Sequence, residues 1–318
     1  MRQVLIVGCM VGALTACQEP DPTPPTIGVE AKLSPPLNPG SRIVFGSFAS
    51  GENAQIYAMN GDGSGLTRLT SDDAAKSQPR QSPDGRRIAF NRFDAAGTPD
   101  VFVMDPDGSH QTRLTSGGGA GAAWSPDGTR IAFSANRDGT FDKIFVMNAD
   151  GSHIKALTDQ LAQAPAWSPD GKKIAFEAAR GEPFDQIWVM NADGGGQTKL
   201  TDGAANNFEA AWSPDGRQIA FSSDRDGVNF QIYKMNADGS GQTLLSSDSP
   251  SADFAPSWSP DGRRITFMTN RDQDFFFQIY VMNADGTSPT NLTNDLTRRH
   301  RFPNWGPARF QAPGPADR

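Results

Sequence analysis

The eleven residues Ala123–Phe133, AWSPDGTRIAF, return almost unchanged at 166–176 and 211–221, and with small changes at 257–267. A worn copy, RQSPDGRRIAF, occupies 80–90 and carries Gln81 where the others carry tryptophan. Recurrence at a fixed period marks a unit that cannot bury its own apolar face and must stack on copies of itself. The tryptophans fall at 124, 167, 212, 258 and 305, spaced 43, 45, 46 and 47 residues apart. Each repeat continues through a variable stretch, often holding Arg-Asp, into a Q-I-aromatic-V-M-N-A-D-G-S segment and a short Leu-Thr. The methionines of that second half stand at 59, 104, 147, 190, 235 and 282.

Local chemistry divides each repeat into four strands. In SPDG, proline is preset for the second position of a tight turn, and Asp then Gly fit the third and fourth. The turn ends an inner strand at Trp124 and starts a second, RIAF (130–133), apolar on both faces like a sheet sandwiched between neighbours. KIFVM (143–147) is the third strand, NADGS a second glycine-tipped turn, and IKALT (154–158) the outer edge.

The two ends of the pattern complement each other. SRIVF (41–45) opens a repeat that lacks its leading segment, and FPNWGP (302–307) is a leading segment with nothing after it. Six leading segments therefore match six trailing units. The pattern predicts an all-β fold over 41–307: a six-bladed β-propeller of four-stranded blades, closed when the C-terminal strand completes the N-terminal blade. An open stack of repeats is the alternative, and it would leave a raw sheet edge at each end.

The chain has 33 Gly, 24 Pro, 20 Phe and 6 Trp, which suits a turn-rich β protein. A formal net charge of -7, with no basic run beyond RRHR at 298–301, argues against a nucleic-acid partner. Residues 1–16 read as an export signal: Arg2, then an apolar core at 4–14 too short to span a bilayer. Leu14–Cys17, LTAC, resembles the bacterial lipobox and makes Cys17 the lipid acceptor. Ile6–Cys9 fits that pattern but has almost no apolar core before it, and an ordinary signal peptide with an incidental Cys17 is the alternative. Cys9 and Cys17 are the only cysteines, so a mature chain would have no disulfide and would rest on its core alone. Gln18 after Cys17, rather than Asp, favours the periplasmic face of the outer membrane in a host with two membranes.

Residues 17–40 hold seven prolines, at 20, 22, 24, 25, 35, 36 and 39, and read as a lipidated stalk lifting the propeller off a membrane. At about 3.1 Å per residue it would reach up to roughly 70 Å. TIGVEAKL (26–33) is apolar enough to fold back in part instead, and 308–318 read as a flexible tail.

The repeat AWSPDGxxIAFxSxRDGxxQIYVMNADGS resembles the propeller repeat of TolB, the periplasmic component of the Tol–Pal system, over about residues 41–307. Related repeats occur in propellers of prolyl oligopeptidase-like peptidases and of oligogalacturonate lyases, so the resemblance speaks to fold more than to function. Two departures stand out. TolB carries an α/β domain before its propeller, where this chain has the proline-rich stalk, and TolB is soluble where this chain reads as lipid-anchored. The resemblance implies a TolB-like lipoprotein, and by resemblance alone a peptidoglycan-associated lipoprotein as partner.

In a propeller the one–two and three–four turns share one face, here nearly constant between repeats. The two–three and four–one connections share the other, and they vary. Divergence marks the variable face, near the channel, as the candidate site for a protein or peptide of the cell envelope. The four–one connections offer Arg80; Asn207, Phe208 and Glu209; Asp253 and Phe254; His300 and Arg301. Gln78, Gln163 and Phe302 flank them, and the two–three loops add Asp274 and Phe275 with Arg92, Arg180 and Phe276. The bare connection SGGGAGA (116–122) leaves room at the rim, and an acidic and a basic sector would face each other across the channel. A water-filled funnel with no ligand is the bland alternative.

Other signals read as structural. The RDG copies at 137–139 and 225–227, with Arg271-Asp272, brace their loops. DPDG (105–108) and the NADG copies resemble the start of a calcium loop but lack its downstream acidic ligands, so they read as turns. His110 and His153 lie on the constant face, away from His300, and no metal or cofactor is expected. No G-x-S-x-G occurs and no hydrolase domain follows residue 307. Glu209, Asp253, His300 and Arg301 are the one set that could serve the alternative function, a carbohydrate-active lyase or hydrolase. The expectation is a non-enzymatic, monomeric scaffold.

Overall fold

Each repeat folds into a four-stranded antiparallel sheet, and six such sheets form the chain. The computed structural model describes residues 41–227, 229–246, 251–272 and 276–307. The signal, Cys17, the stalk, the tail, and the candidates Asp274 and Phe275 lie outside the described residues. Blade 3 shows the type: an inner strand Ala120–Trp124, then Arg130–Ala135, Lys143–Asn148 and a two-residue outer strand Lys155–Ala156. The outer strand is shorter than IKALT suggested, because only two residues of each fourth strand pair with the third.

Ring closure follows the sequence. Arg298–Trp305 pairs with Arg42–Ala49 as the inner strand of blade 1, with Ile43 opposite Trp305 and Val44 opposite Asn304. The predicted propeller is therefore the observed one: six blades of four strands, closed by the last strand, with no helix among the described residues.

The repeated letters carry the contacts between blades. Ile131 and Phe133 are buried on one face and Ala132 on the other, and their counterparts in every blade are buried likewise. Each large residue thus packs on a neighbouring sheet instead of its own, so a single blade would expose its core. The indole N–H of Trp124, Trp212 and Trp258 donates to the carbonyls of Arg80, Ala166 and Ala211 on the preceding inner strand, each at 3.1 Å. Gln81 replaces that indole at the closing seam. Its amide donates to Arg42 O at 2.9 Å and Asn304 O at 3.4 Å, while its backbone N–H donates to Asn304 Oδ1 at 2.9 Å.

The Leu-Thr pair has a structural reason that the sequence did not disclose. In blade 4 the buried Thr201 hydroxyl accepts from Ile187 N at 2.9 Å and donates to Gln186 Oε1 at 2.8 Å. Thr70 in blade 1 and Ser246 in blade 5 repeat both bonds with Gln55 and Gln231. The leading glutamine of the third strand is thus the hub of a buried polar network in which each group finds a partner. The glycine of the corresponding turn, DPDG, is also obligatory in blade 2. Gly108 has φ +91°, and a Cβ there would lie 1.9 Å from Leu69 O of blade 1.

Candidate binding site at the channel mouth

Every inner strand carries a bulge three residues before its tryptophan position. The residue there has positive φ in all six blades: Gln78, Gly121, Ala164, Glu209, Ala255 and Phe302. The ladder register slips at each of these points. A bulge leaves one backbone group unpaired and re-aims a side chain. In three blades a second-strand side chain of the preceding blade takes up the bulge N–H: Asn91 for Gly121 at 3.2 Å, Ser134 for Ala164 at 3.0 Å, and Glu177 for Glu209. In blade 6, Ala255 N instead donates to Glu209 Oε2 at 2.6 Å, which also accepts from the Ser222 hydroxyl at 3.2 Å.

Two carboxylates thus stand beside the channel in blades 4 and 5, linked through the backbone of Glu209. Burial pushes the Glu177 carboxyl well above the ordinary carboxylate range despite its bond from Glu209 N, and nearby Glu209 adds to the rise. Burial raises Glu209 too, opposed by the bonds from Ala255 and Ser222 and by the charge of Arg80. Arg80 sits on the inner strand of blade 2, and blades 2 and 5 are opposite in a six-membered ring. The two groups can sense each other only across the central channel. Burial lowers the Arg80 guanidinium and Glu209 holds it up. Its hydrogen bond within the described residues goes to the adjacent Pro79 carbonyl, at 3.1 Å.

A second feature curves over blades 5, 6 and 1. Ring centroids run from Phe208 to Phe230 at 5.4 Å, to Phe254 at 4.8 Å and to Phe277 at 5.9 Å. Arg301 then lies over Phe277 at 5.7 Å and over Phe48 at 5.4 Å, and Arg299 over Phe48 at 5.8 Å and Phe276 at 5.0 Å. Burial, then the like charge of Arg299, lowers the Arg301 guanidinium. The equivalent inner-strand positions in blades 2, 3 and 4 are the smaller Ser77, Ala120 and Gln163. The mouth is therefore aromatic and cationic over one half and open over the other.

The structure divides the candidates selected from the sequence. Arg80, Glu209 and Arg301 are half-buried beside the channel. Phe208 and Phe254 are buried members of the aromatic arc. Asn207, Asp253 and His300 share one buried position, five residues before the tryptophan position, and hold the four–one connections. Asn207 bonds Gln186 and Arg225, Asp253 pairs with Arg271 at 3.1 Å, and His300 sets its ring edge against Phe45 at 5.4 Å. The four groups nominated for catalysis are thus held by four different sets of neighbours. Glu177 was missed because it sits inside a core repeat, IAFEA. Its signal was an ionisable residue where other blades carry Asn91, Ser134 and Ser222.

The bracing expected of the RDG arginines is visible in the stacking: Arg137 lies over Phe133 and Phe145 at 5.6 and 5.5 Å. Arg180, which the sequence placed on the binding face, takes the same bracing place. Arg180 lies over Phe176 and Trp188 at 5.1 and 4.6 Å, Arg225 over Phe221 and Tyr233 at 5.2 and 4.6 Å, and Arg271 over Phe267 and Tyr280 at 5.3 and 4.9 Å. Aspartates of the SPDG and NADG turns accept from residues two further on, as Asp127 does from Thr129 N at 3.0 Å, which is a turn geometry. No group of three or more His, Cys, Asp or Glu able to hold a metal ion occurs among the described residues.

A closed propeller with a polarised channel and one variable face is a scaffold architecture that many functions share. The chain belongs to the TolB beta propeller domain family, which matches residues 29–159 and 159–250. It is similar to the crystal structure of TolB from Acinetobacter baumannii, with TM-score 0.74 and 23% identity over 86% of this chain and 68% of that one. It is also similar to a putative TolB from Agrobacterium tumefaciens, with TM-score 0.67 and 23% identity over 84% of this chain and 98% of that one. An oligogalacturonate lyase solved with manganese aligns with TM-score 0.54 and 16% identity over 80% of this chain and 74% of that one. No curated protein gives a significant match.

Proposed function

We propose that this protein is a non-enzymatic, lipid-anchored propeller of the bacterial cell envelope that binds a protein or peptide partner on its variable face, above the channel. The anchor is Cys17, and the periplasmic face of the outer membrane is its favoured site. The carrying observation is the polarised channel: Arg80 on the inner strand of blade 2 interacts electrostatically with Glu209 on the inner strand of blade 5, and Glu177 of blade 4 lies beside Glu209. Charges kept in a low-dielectric channel with few partners are costly to the fold and useful to a ligand that brings complementary groups. The half-buried Phe230 and Phe277 of the aromatic arc add apolar area at the rim, of the kind that anchors polypeptide segments. Family membership supports a scaffold, and the envelope location agrees with TolB proteins being periplasmic.

The test is capture of partners from detergent-solubilised envelope by the lipidated protein and by an E209A/R301A variant. A protein partner lost in the variant, with E209Q and wild type melting alike, supports the reading. Turnover of a polysaccharide by wild type, abolished in the same variant, would replace it with the enzymatic alternative.

A further inference from the structure

The bulge N–H groups of blades 3 to 6 are each taken up by a side chain of the preceding blade, and those of blades 1 and 2 are not. Three of the acceptors, Asn91, Ser134 and Glu177, share one second-strand position, opposite the residue just before their own blade's bulge. The same position holds Met268 in blade 6 and Gly46 in blade 1, and neither side chain offers an oxygen. The amides they would serve, Phe302 N and Gln78 N, lie where the register slips and meet no side-chain acceptor among the described residues.

Met268 fills its position with a buried side chain, whereas Gly46 leaves its own open. A Cβ on Gly46 would meet Arg301 O at 3.7 Å and Lys76 O at 3.9 Å, both ordinary contacts, and the backbone there is not left-handed. The gap lies between the inner strands of blades 1 and 2, and it is cationic. Arg301 stands opposite Gly46 in the register. Its guanidinium lies over Phe48 and Phe277, beside the like charge of Arg299, with no hydrogen bond or ion pair among the described residues. Arg180, Arg225, Arg271 and Arg298 also lie over rings, yet each of them meets an oxygen of its own chain. Amide and guanidinium donors without acceptors in a low-dielectric site favour an anion. The ring itself indicates which: the bulge amides of blades 5 and 6 are met by the carboxylates of Glu177 and Glu209.

We infer that the channel mouth between blades 1 and 2 is a carboxylate-binding site, where the Gln78 N–H and the Arg301 guanidinium hold a ligand's two oxygens at the place that Gly46 leaves open. The inference rests on the mouth being the partner-binding face, and it gives that partner an acidic side chain.

The probe is Nα-acetyl-glutamate methylamide, titrated into the protein with ¹H–¹⁵N detection of the Gln78 backbone amide and the Arg301 Nε–H. The glutamine analogue, of equal shape and no charge, is the control. Wild type should shift both signals saturably with the glutamate probe and bind the control about tenfold more weakly or worse. Gly46→Asn supplies to Gln78 N the acceptor that Asn91 supplies to Gly121 N, so it should abolish the response. Arg301→Gln leaves the backbone donor in place and should weaken binding by about tenfold. Equal response to probe and control, undiminished binding in either variant, or tighter binding of inorganic phosphate than of any carboxylate overturns the proposal. Digalacturonate binding more tightly than the glutamate probe keeps the site and overturns the protein partner. Envelope capture with no carboxylate response in wild type keeps the partner and overturns the site, so the two readings fail separately.

Discussion

Trp305 stands opposite Ile43 in the sheet register of blade 1, so the last inner strand of the chain completes the first blade. Its indole is buried among Ile43, Phe45, Met59 and Phe254. Its backbone N–H donates to Ser257 Oγ of blade 6 at 3.0 Å. The same strand sends Arg298 over Tyr57 and to Glu52 at 2.9 Å, taking in blade 1 the bracing place that loop arginines take elsewhere. A Trp305→Ala variant leaves a cavity at the seam and should cost about 3–5 kcal/mol. Truncation before His300 should remove the cooperative thermal transition or lower it by well over 10 °C. A melting temperature unchanged by truncation would show that the ring does not depend on this strand.

Glycine at the three–four turn is set by the neighbouring blade as well as by its own backbone. Gly108 and Gly97 both have positive φ, +91° and +79°, but only Gly108 faces a carbonyl, Leu69 O at 1.9 Å from an added Cβ. Gly97→Ala should cost about 1 kcal/mol for the left-handed backbone alone. Gly108→Ala should cost at least twice that, because blade 1 must also move. Urea unfolding of the two variants checks the contrast, and equal losses would mean that the blades are loosely seated.

The Leu-Thr network gives a paired prediction in blade 4. Thr201 holds Ile187 N and Gln186 Oε1, whereas Thr198, three residues earlier on the outer strand Thr198–Lys199, is exposed. Thr201→Val leaves a buried N–H and a buried carbonyl short of partners and should cost about 1–3 kcal/mol. Thr198→Val should stay within about 0.5 kcal/mol of wild type by the same denaturant titration.

Glu177 makes the protein's stability depend on pH in a direction that its substitution reveals. Its carboxyl lies well above 4.5 in the folded protein because burial disfavours the charged form. A raised folded value means the folded state holds its proton longer than the unfolded one, so its contribution is full below about 4.5 and is lost as pH rises through the folded value. Glu177→Gln keeps an oxygen for Glu209 N–H and cannot ionise. E177Q should therefore match wild type near pH 4 and become progressively more stable than it toward pH 8. A difference that does not grow with pH would place the charge in water.

The architecture was legible because each blade repeats its letters: Trp124, Ile131, Phe133, Met147 and the two glycine turns recur at one period. Closure was legible from the fragments at 41–45 and 302–307. The candidate site was legible only in part, since the variable connections marked the face without saying which side chains turn inward. Asn207, Asp253 and His300 look like exposed loop polars in sequence, yet they sit where the connection tucks under the third strand. Only the bulge explains why Glu209, three residues before its tryptophan, reaches the channel side. A bulge leaves no trace in composition when Gln, Gly, Ala, Glu and Phe all occupy it. The Leu-Thr hub was equally hidden, because a threonine after a leucine carries no mark of the glutamine it will meet.

His300 sits on the closing strand opposite Ser47, with its ring edge on Phe45, and neither ring nitrogen has a hydrogen-bond partner among the described residues. Burial holds its imidazole down to about 4, against a smaller pull upward from Asp295 and a push downward from Arg298. A depressed value means the folded state favours neutral imidazole. Its contribution is complete above about 6.5 and is lost as pH falls toward 4, by an amount on the order of 3 kcal/mol. The loss falls on the seam that closes the ring. His300→Phe should fill the same apolar place without a titrating group, so its stability should change much less than wild type's between pH 6.5 and 4. Thermal melts of both proteins across that range check it, and parallel curves would show that the imidazole is not confined in the core as its neighbours imply.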